Sequence, residues 1–491
     1  MNRRALLRIA LTAAGLAAPP AHAANWLMLQ GTEPQDVSHR FFGTVQATYT
    51  NYSGCNALRG LAGTNGTATG NPNTGQGFNN GRYNNNCTNG PEFHTPERFA
   101  LDTLMLGVRG NIIPGKFNYF LAANLGENNT TYLPAKTSRE RLAALTDASM
   151  TFSYIPGAHI RAGLFKKPGP EELMQGVEAT DYVFQTDFIA RVQQERFIHG
   201  NAQTGLSVAG QGYAGNISAY GYDFDAGRDW GVQLFDAFKQ GKWTYSYAMM
   251  LANGNGIRHG DNNADKDANL YFSAEHDLPG GKGPLKHGVK LYGYHQQGVR
   301  NFTIDATGTQ SRDFDLIRYG AGAKALGELF GPDAGKHRLG FELMYADGMI
   351  HYMPTGNVAN GAFGGNAMQI AAERGNKARG LTLDYGYYLN PAWQFDVRYS
   401  RNDLLYQSVG AWKPSDQREF EYVTLGLNYT VASKTRLTVN YEFRDVRAPN
   451  PVQPIDGTAA AINNAAVQTR NAGISVDTIG DRFGVRLTHS F

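Results

Sequence analysis

Arg482-Phe483-Gly484-Val485-Arg486-Leu487-Thr488-His489-Ser490-Phe491 closes the chain, and its residues alternate. Phe483, Val485, Leu487 and Phe491 share one parity, with His489 the polar member. Arg482, Gly484, Arg486, Thr488 and Ser490 share the other. A strand sends successive side chains to opposite faces, so this segment has one greasy face and one charged face. A strand closing a barrel in lipid needs that division, apolar outward and polar toward a wet lumen.

The alternation recurs upstream. Trp393, Phe395, Val397 and Tyr399 oppose Gln394, Asp396, Arg398 and Ser400. Leu437, Val439, Tyr441 and Phe443 oppose Arg436, Thr438, Asn440, Glu442 and Arg444. Similar segments carry Val423–Tyr429, Leu381–Tyr387, Leu339–Tyr345, Trp243–Leu251 and Phe117–Leu125. The links alternate as well. Short ones include Ile113–Lys116, Pro156-Gly157, Lys239–Lys242 and Val431–Lys434. Long ones include Ser53–Glu97, Gly126–Ala144, Pro168–Asn201, His351–Lys377 and Ala448–Thr478. Short turns at one end and long loops at the other are the pattern of a transmembrane barrel. The pattern predicts an all-β fold, a transmembrane antiparallel β-barrel of roughly 16–18 strands. Val232–Phe238 and Gly205–Gly210 carry the weakest strand patterns.

Composition agrees. The 491 residues include 59 Gly, 26 Tyr and 26 Phe, yet only 42% are hydrophobic. Past the N-terminus no apolar run reaches the roughly 18 residues of a transmembrane helix. The formal charge of +3 is small and the basic residues are dispersed, which excludes a nucleic-acid-binding tract. Arg3, Arg4 and Arg8, the apolar run Ile9–Ala18 and Ala21-His22-Ala23 compose an export signal with an A-x-A cleavage site. Residues 1–23 are therefore expected to be a signal peptide, 24–40 an N-terminal periplasmic segment, and 41–491 the barrel. Cys55 and Cys87 flank a Gly/Asn-rich stretch of an exported chain, and a disulfide between them is expected. Closing such a loop stabilises by about 3–4 kcal/mol.

Catalytic motifs are lacking: there is no G-x-S-x-G, no H-E-x-x-H and no full Walker A. Gly331–Lys336 reads G-P-D-A-G-K, one residue short of a P-loop. Asp261, Asn263, Asp265 and Asp267 resemble the start of a calcium loop, but Lys266 stands where glycine is required and Phe272 where the closing Glu belongs. A solvated loop is the better reading, so no metal or cofactor is expected. Arginine on the lipid face at midplane costs about 2–4 kcal/mol. Parity therefore assigns Arg109, Arg161, Arg318, Lys324, Arg338, Arg398, Arg436, Arg444, Arg482 and Arg486 to the lumen, with Asp147, Glu275, Glu342, Asp384, Asp396 and Glu442. Bases outnumber acids, which predicts a mild anion preference. The competing reading is that the arginines pair with the acids and brace the wall. The link Pro168–Asn201 carries Pro170-Glu171-Glu172-Leu173-Met174, a helix start, then Tyr182, Val183, Phe184, Phe188, Ile189 and Val192. So much apolar surface predicts that it folds inward and narrows the lumen.

Phe42-Gly43-Thr44-Val45-Gln46, and above all L-T-D-A-S-M-T-F-S-Y followed by H-I-R-A-G-L-F-K-K-P-G-P-E-E within Leu145–Glu172, resemble the phosphate-selective porin family of the porin O and P type. The resemblance implies a homotrimer of barrels of about 16 strands in the bacterial outer membrane, each a diffusion channel for small hydrophilic solutes. It places the constriction at Arg161, Lys166, Lys167, Glu171 and Glu172. Phosphate-specific members set a Lys and then a Ser pair inside the constriction loop. The matching positions here are Glu172 and Gln175-Gly176. A carboxylate there repels a phosphate by about 4 kcal/mol at about 4 Å and an effective dielectric near 20. The resemblance thus carries a channel, possible passage of phosphate or other oxyanions, and no phosphate specificity. The terminal Phe491 is similar to the signal that barrel-assembly machinery reads in outer-membrane proteins. Lipid and lipopolysaccharide would be the remaining partners. Two other readings compete: a barrel enzyme such as a hydrolase, and a closed structural or adhesive barrel.

Overall fold

The computed structural model describes residues 26–29, 32–53, 97–126, 143–194, 217–219, 227–257, 261, 263–281, 286–303, 311–331, 334–352, 368–410, 412–477 and 479–491. The signal segment 1–23, Cys55, Cys87 and Gly205–Gly210 lie outside them.

The strands are β1 (Arg40–Tyr52), β2 (Glu97–Ile113), β3 (Phe117–Asn124), β4 (Ala144–Ile155), β5 (Ala158–Lys166), β6 (Ile217–Ala219), β7 (Arg228–Gln240), β8 (Trp243–Ala252), β9 (Asp267–Asp277) and β10 (Gly288–Thr303). They continue as β11 (Ser311–Gly327), β12 (Lys336–Asp347), β13 (Ile350–Tyr352), β14 (Met368–Ala371), β15 (Lys377–Tyr388), β16 (Trp393–Gln407), β17 (Arg418–Ala432), β18 (Thr435–Arg447) and β19 (Arg482–Ser490). Sixteen of them form one closed antiparallel barrel, in which β19 pairs with β1; β6, β13 and β14 form a separate small sheet. Sixteen is the lower bound of the sequence expectation. The count of 18 is corrected, because short pairings such as β13–β14 stand outside the barrel ladder. The weak segment Val232–Phe238 lies within β7, a full barrel strand.

Register shows why the barrel closes on parity. Arg398 faces Thr424, Thr424 faces Glu442, and Glu442 faces Arg482 across four neighbouring strands. One residue along, Val397, Leu425, Tyr441 and Phe483 form the matching row. The first row is buried and the second reaches the outer surface, where Leu425 is 46% exposed while Thr424 is 1% exposed. Other outer residues repeat this: Leu251 is 62% exposed and Phe272 53%. Aromatics gather near the short-turn end of that surface. Trp393 stacks on Tyr429 at 4.4 Å and Phe117 on Phe152 at 4.5 Å. Such rings suit a membrane–water interface.

The long-loop end is less regular. The link read as a loop, Ala448–Thr478, contains a helix, Ala459–Asp477. Its start runs Ala459-Ala460-Ala461, strong helix formers. Thr458 caps it by accepting from the Ala461 amide at 3.2 Å.

Candidate functional site, the barrel lumen

The segment after β5 does not arch away from the barrel. Residues 168–194 lie against inward-facing side chains of distant strands. A short helical turn, Glu171–Met174, opens the segment after Pro170. Glu171 reaches Lys290 of β10 at 2.9 Å and Lys324 of β11 at 3.5 Å. Glu172 accepts from Arg398 of β16 at 3.1 Å and from the Thr186 hydroxyl at 2.6 Å. Asp181 contacts Arg338 and Arg436, both at 3.3 Å. Arg486 donates to the Tyr182 carbonyl at 2.6 Å and the Thr180 hydroxyl at 2.8 Å.

Apolar contacts accompany these bonds. The Arg398 guanidinium lies 3.9 Å over the Tyr182 ring, and that of Arg482 lies 4.1 Å over Phe184. A desolvated contact of this kind is worth about 2 kcal/mol. Two inward glycines make the approach possible. A Cβ on Gly484 would stand 2.8 Å from the Phe184 ring, and one on Gly380 2.7 Å from Phe188. Phe188, Ile189 and Val192 then join Met344, Ile350, Ala371, Leu404, Leu405, Phe420 and Tyr422 in one apolar cluster. The same cluster also takes in Leu27, Phe235 of β7, Ala248 of β8 and Tyr271 of β9, so it runs across the lumen from β7 to β18.

Most inward bases named from parity meet a carboxylate. Arg109 pairs with Glu33, Arg338 with Asp396, Arg398 with Asp384, and Arg482 with Glu442. Arg161, Arg444 and Arg486 do not, among the described residues. Arg161 donates to the Leu27 carbonyl at 3.0 Å and lies over Phe235 at 4.4 Å. Arg444 donates to the Gly480 carbonyl, and Arg486 finds Thr180 and carbonyls. Arg318 donates to the carbonyls of Gly348 and Met349. Lys166 donates to the Gln175 carbonyl at 2.6 Å, whereas Lys167 is buried at the end of β5.

Below the inward segment a cavity of about 470 Å³ opens toward the short turns. Glu171, Asp181, Lys290, Lys324, Arg338 and Arg436 face its deep end. The signs are mixed, so the cavity has no single-charge character. Parity did not single out Lys290, although its place opposite Leu291 in β10 marks it as inward. It was hidden because Tyr292 and Tyr294 share its face, and aromatics on both faces blur the alternation. The partners Glu33 and Asp181 carried no parity signal, since both lie outside strands. Asp261 pairs with Lys266, and Asp267 forms a two-pronged ion pair with Arg300 at 2.7 and 2.8 Å. Two carboxylates of the calcium-like stretch, Asp261 and Asp267, are thus engaged by cationic side chains.

No family profile and no curated protein matches the chain. Among solved structures, OmpF of Salmonella typhi aligns at 11% identity over 93% of this chain and 98% of that one, with a TM-score of 0.47. An anion-selective porin from Comamonas acidovorans aligns at 14% over 93% and 100%, TM-score 0.45. The outer-membrane channel DcaP of Acinetobacter baumannii aligns at 12% over 94% and 99%, TM-score 0.45. At such identities and scores these likenesses decide nothing about solute or selectivity. None of these comparisons carries the phosphate-selective porin family to this chain.

Proposed function

We propose that the chain forms a channel across the bacterial outer membrane that passes small hydrophilic solutes down their gradient, with a mild preference for anions. The observation that carries this reading is the division of one closed sixteen-strand barrel into a hydrocarbon-compatible exterior and a charged interior. No described helix is long and apolar enough to cross a membrane. The anion preference is supported by Arg444 and Arg486, whose described partners include carbonyls and a hydroxyl rather than carboxylates. It is moderated by the carboxylates that neutralise the other bases. Phosphate and other oxyanions fall within the preference without being singled out. Glu172 stands where phosphate-specific members carry lysine, and it is tied to Arg398. Assembly as a homotrimer, and contact with lipopolysaccharide and lipid on the outer surface, belong to the same reading.

Recording from purified protein in planar bilayers tests it. Discrete ohmic steps are expected, with a reversal potential in a KCl gradient displaced modestly toward that of chloride. A cation-selective channel would overturn the anion preference. One observation favours a second reading, a barrel closed at rest: the apolar cluster around Phe188, Ile189 and Val192 fills part of the lumen. Silence at every voltage and protein concentration would favour that reading over the open channel.

A further inference from the structure

The inner wall from β2 to β8 is covered by the chain's own N-terminal part. Leu27 is 4% exposed and belongs to the apolar cluster that includes Phe235 of β7 and Ala248 of β8. Its carbonyl accepts from the buried guanidinium of Arg161 on β5 at 3.0 Å. Six residues on, the Glu33 carboxylate is 3% exposed and pairs with Arg109 of β2 and with Arg40. Asn111 of β2 then donates its side-chain amide to the carbonyls of Pro34 and Val37, at 2.6 and 2.9 Å. Its backbone amide also donates to Val37 at 2.9 Å. Arg161, Arg109 and Asn111 all lie on inward parity. Arg161 faces Thr151 and Gln233, both fully buried, while Arg109 lies over the buried Phe120 ring.

We propose that residues 26–29 and 32–37 form a second narrowing element, which enters the lumen from the short-turn end and meets the segment after β5 in the shared apolar cluster. The proposal rests on the channel reading and deepens it. Ordering a terminal segment costs backbone and side-chain entropy at every residue, so a tail without compensating contacts would stay in solvent. Burying Leu27 and pairing Glu33 supply that compensation. The element has two physical effects. It removes cross-section from the water path, and it masks two wall cations: Glu33 neutralises Arg109, and the Leu27 carbonyl takes up Arg161. Undocking would widen the path and leave both guanidiniums facing water.

The test compares the full chain with a variant lacking residues 26–36 but keeping residues 1–25 and Val37, both in planar bilayers. The variant is expected to show larger unitary conductance and a reversal potential shifted further toward chloride. Glu33→Gln, which leaves the backbone intact, is expected to shift the reversal potential in the same direction, and it decides the question if the shortened chain fails to fold. A silent full chain beside a conducting variant would also support the proposal. If the full chain conducts and neither variant changes conductance or reversal potential, the second narrowing element is refuted while the channel stands. If full chain and variants are all silent, the channel reading fails and the proposal with it.

Discussion

Arg482 is 2% exposed, with Glu442 on the neighbouring strand as its ion-pair partner. The Phe184 ring lies over its guanidinium, and Thr424 donates to Glu442 at 2.8 Å. Water is therefore a poor substitute for either partner. Arg482→Ala would leave a buried carboxylate unpaired, a loss of about 3–5 kcal/mol. The unfolding midpoint in urea, measured in lipid vesicles, should fall accordingly. Replacing both residues by methionine should cost much less, because no orphaned charge remains. A loss of about 1 kcal/mol or less for Arg482→Ala would mean that the pair behaves as a solvated surface bridge.

Among the elements, the inward segment 168–194 depends on acids that bind a basic wall. Burial alone would push the Glu171 carboxyl up, but the ammoniums of Lys290 and Lys324 outweigh it and hold the group at about 2. The sign follows from linkage: a carboxyl held below its usual range stabilises the docked segment above the ordinary carboxylate pKa. That contribution declines as pH falls below it and is lost only as pH passes through about 2. Protease access to residues 168–194 should therefore be the same at neutral and mildly acidic pH in the native chain. In Glu171→Gln it should be raised already at neutral pH, since the half-buried Lys290 and Lys324 lose the Glu171 carboxylate and only Lys290 keeps another described one, that of Glu275. A native segment that becomes protease-sensitive in mild acid would contradict the assignment. The segment's inward course was legible from its crowd of apolar residues in a link between strands. The places where it docks were not, because Gly380 and Gly484 read in sequence only as small residues in strands.

For the whole molecule, closure depends on the seam between first and last strands. The Phe491 amide donates to the Gly43 carbonyl at 3.1 Å, and the Gly43 amide donates to the Phe491 carbonyl at 3.2 Å. Deleting Phe491 removes this bonded pair and exposes strand edge, which is costly where lipid offers no replacement partner. The yield of heat-modifiable barrel in outer-membrane fractions should fall. An unchanged yield would show that neither closure nor assembly uses the terminal residue.

Parity along single strands determined the barrel and its outer and inner faces, and it named many of the inward bases while passing over Lys290, Arg300 and Arg418. Those properties follow from an interval of two residues, which any stretch of ten displays by itself. Which base meets which acid was decided only by the tertiary structure. Arg398 and Glu172 are 226 residues apart, and Arg486 bonds a segment more than 300 residues before it. The final strand count and the contacts of Leu27, Glu33, Pro34 and Val37 with the wall belong to the same category. Such contacts arise when a curved wall brings distant strands around one enclosed space. Alternation records the face of each residue, but not what lies across the lumen from it.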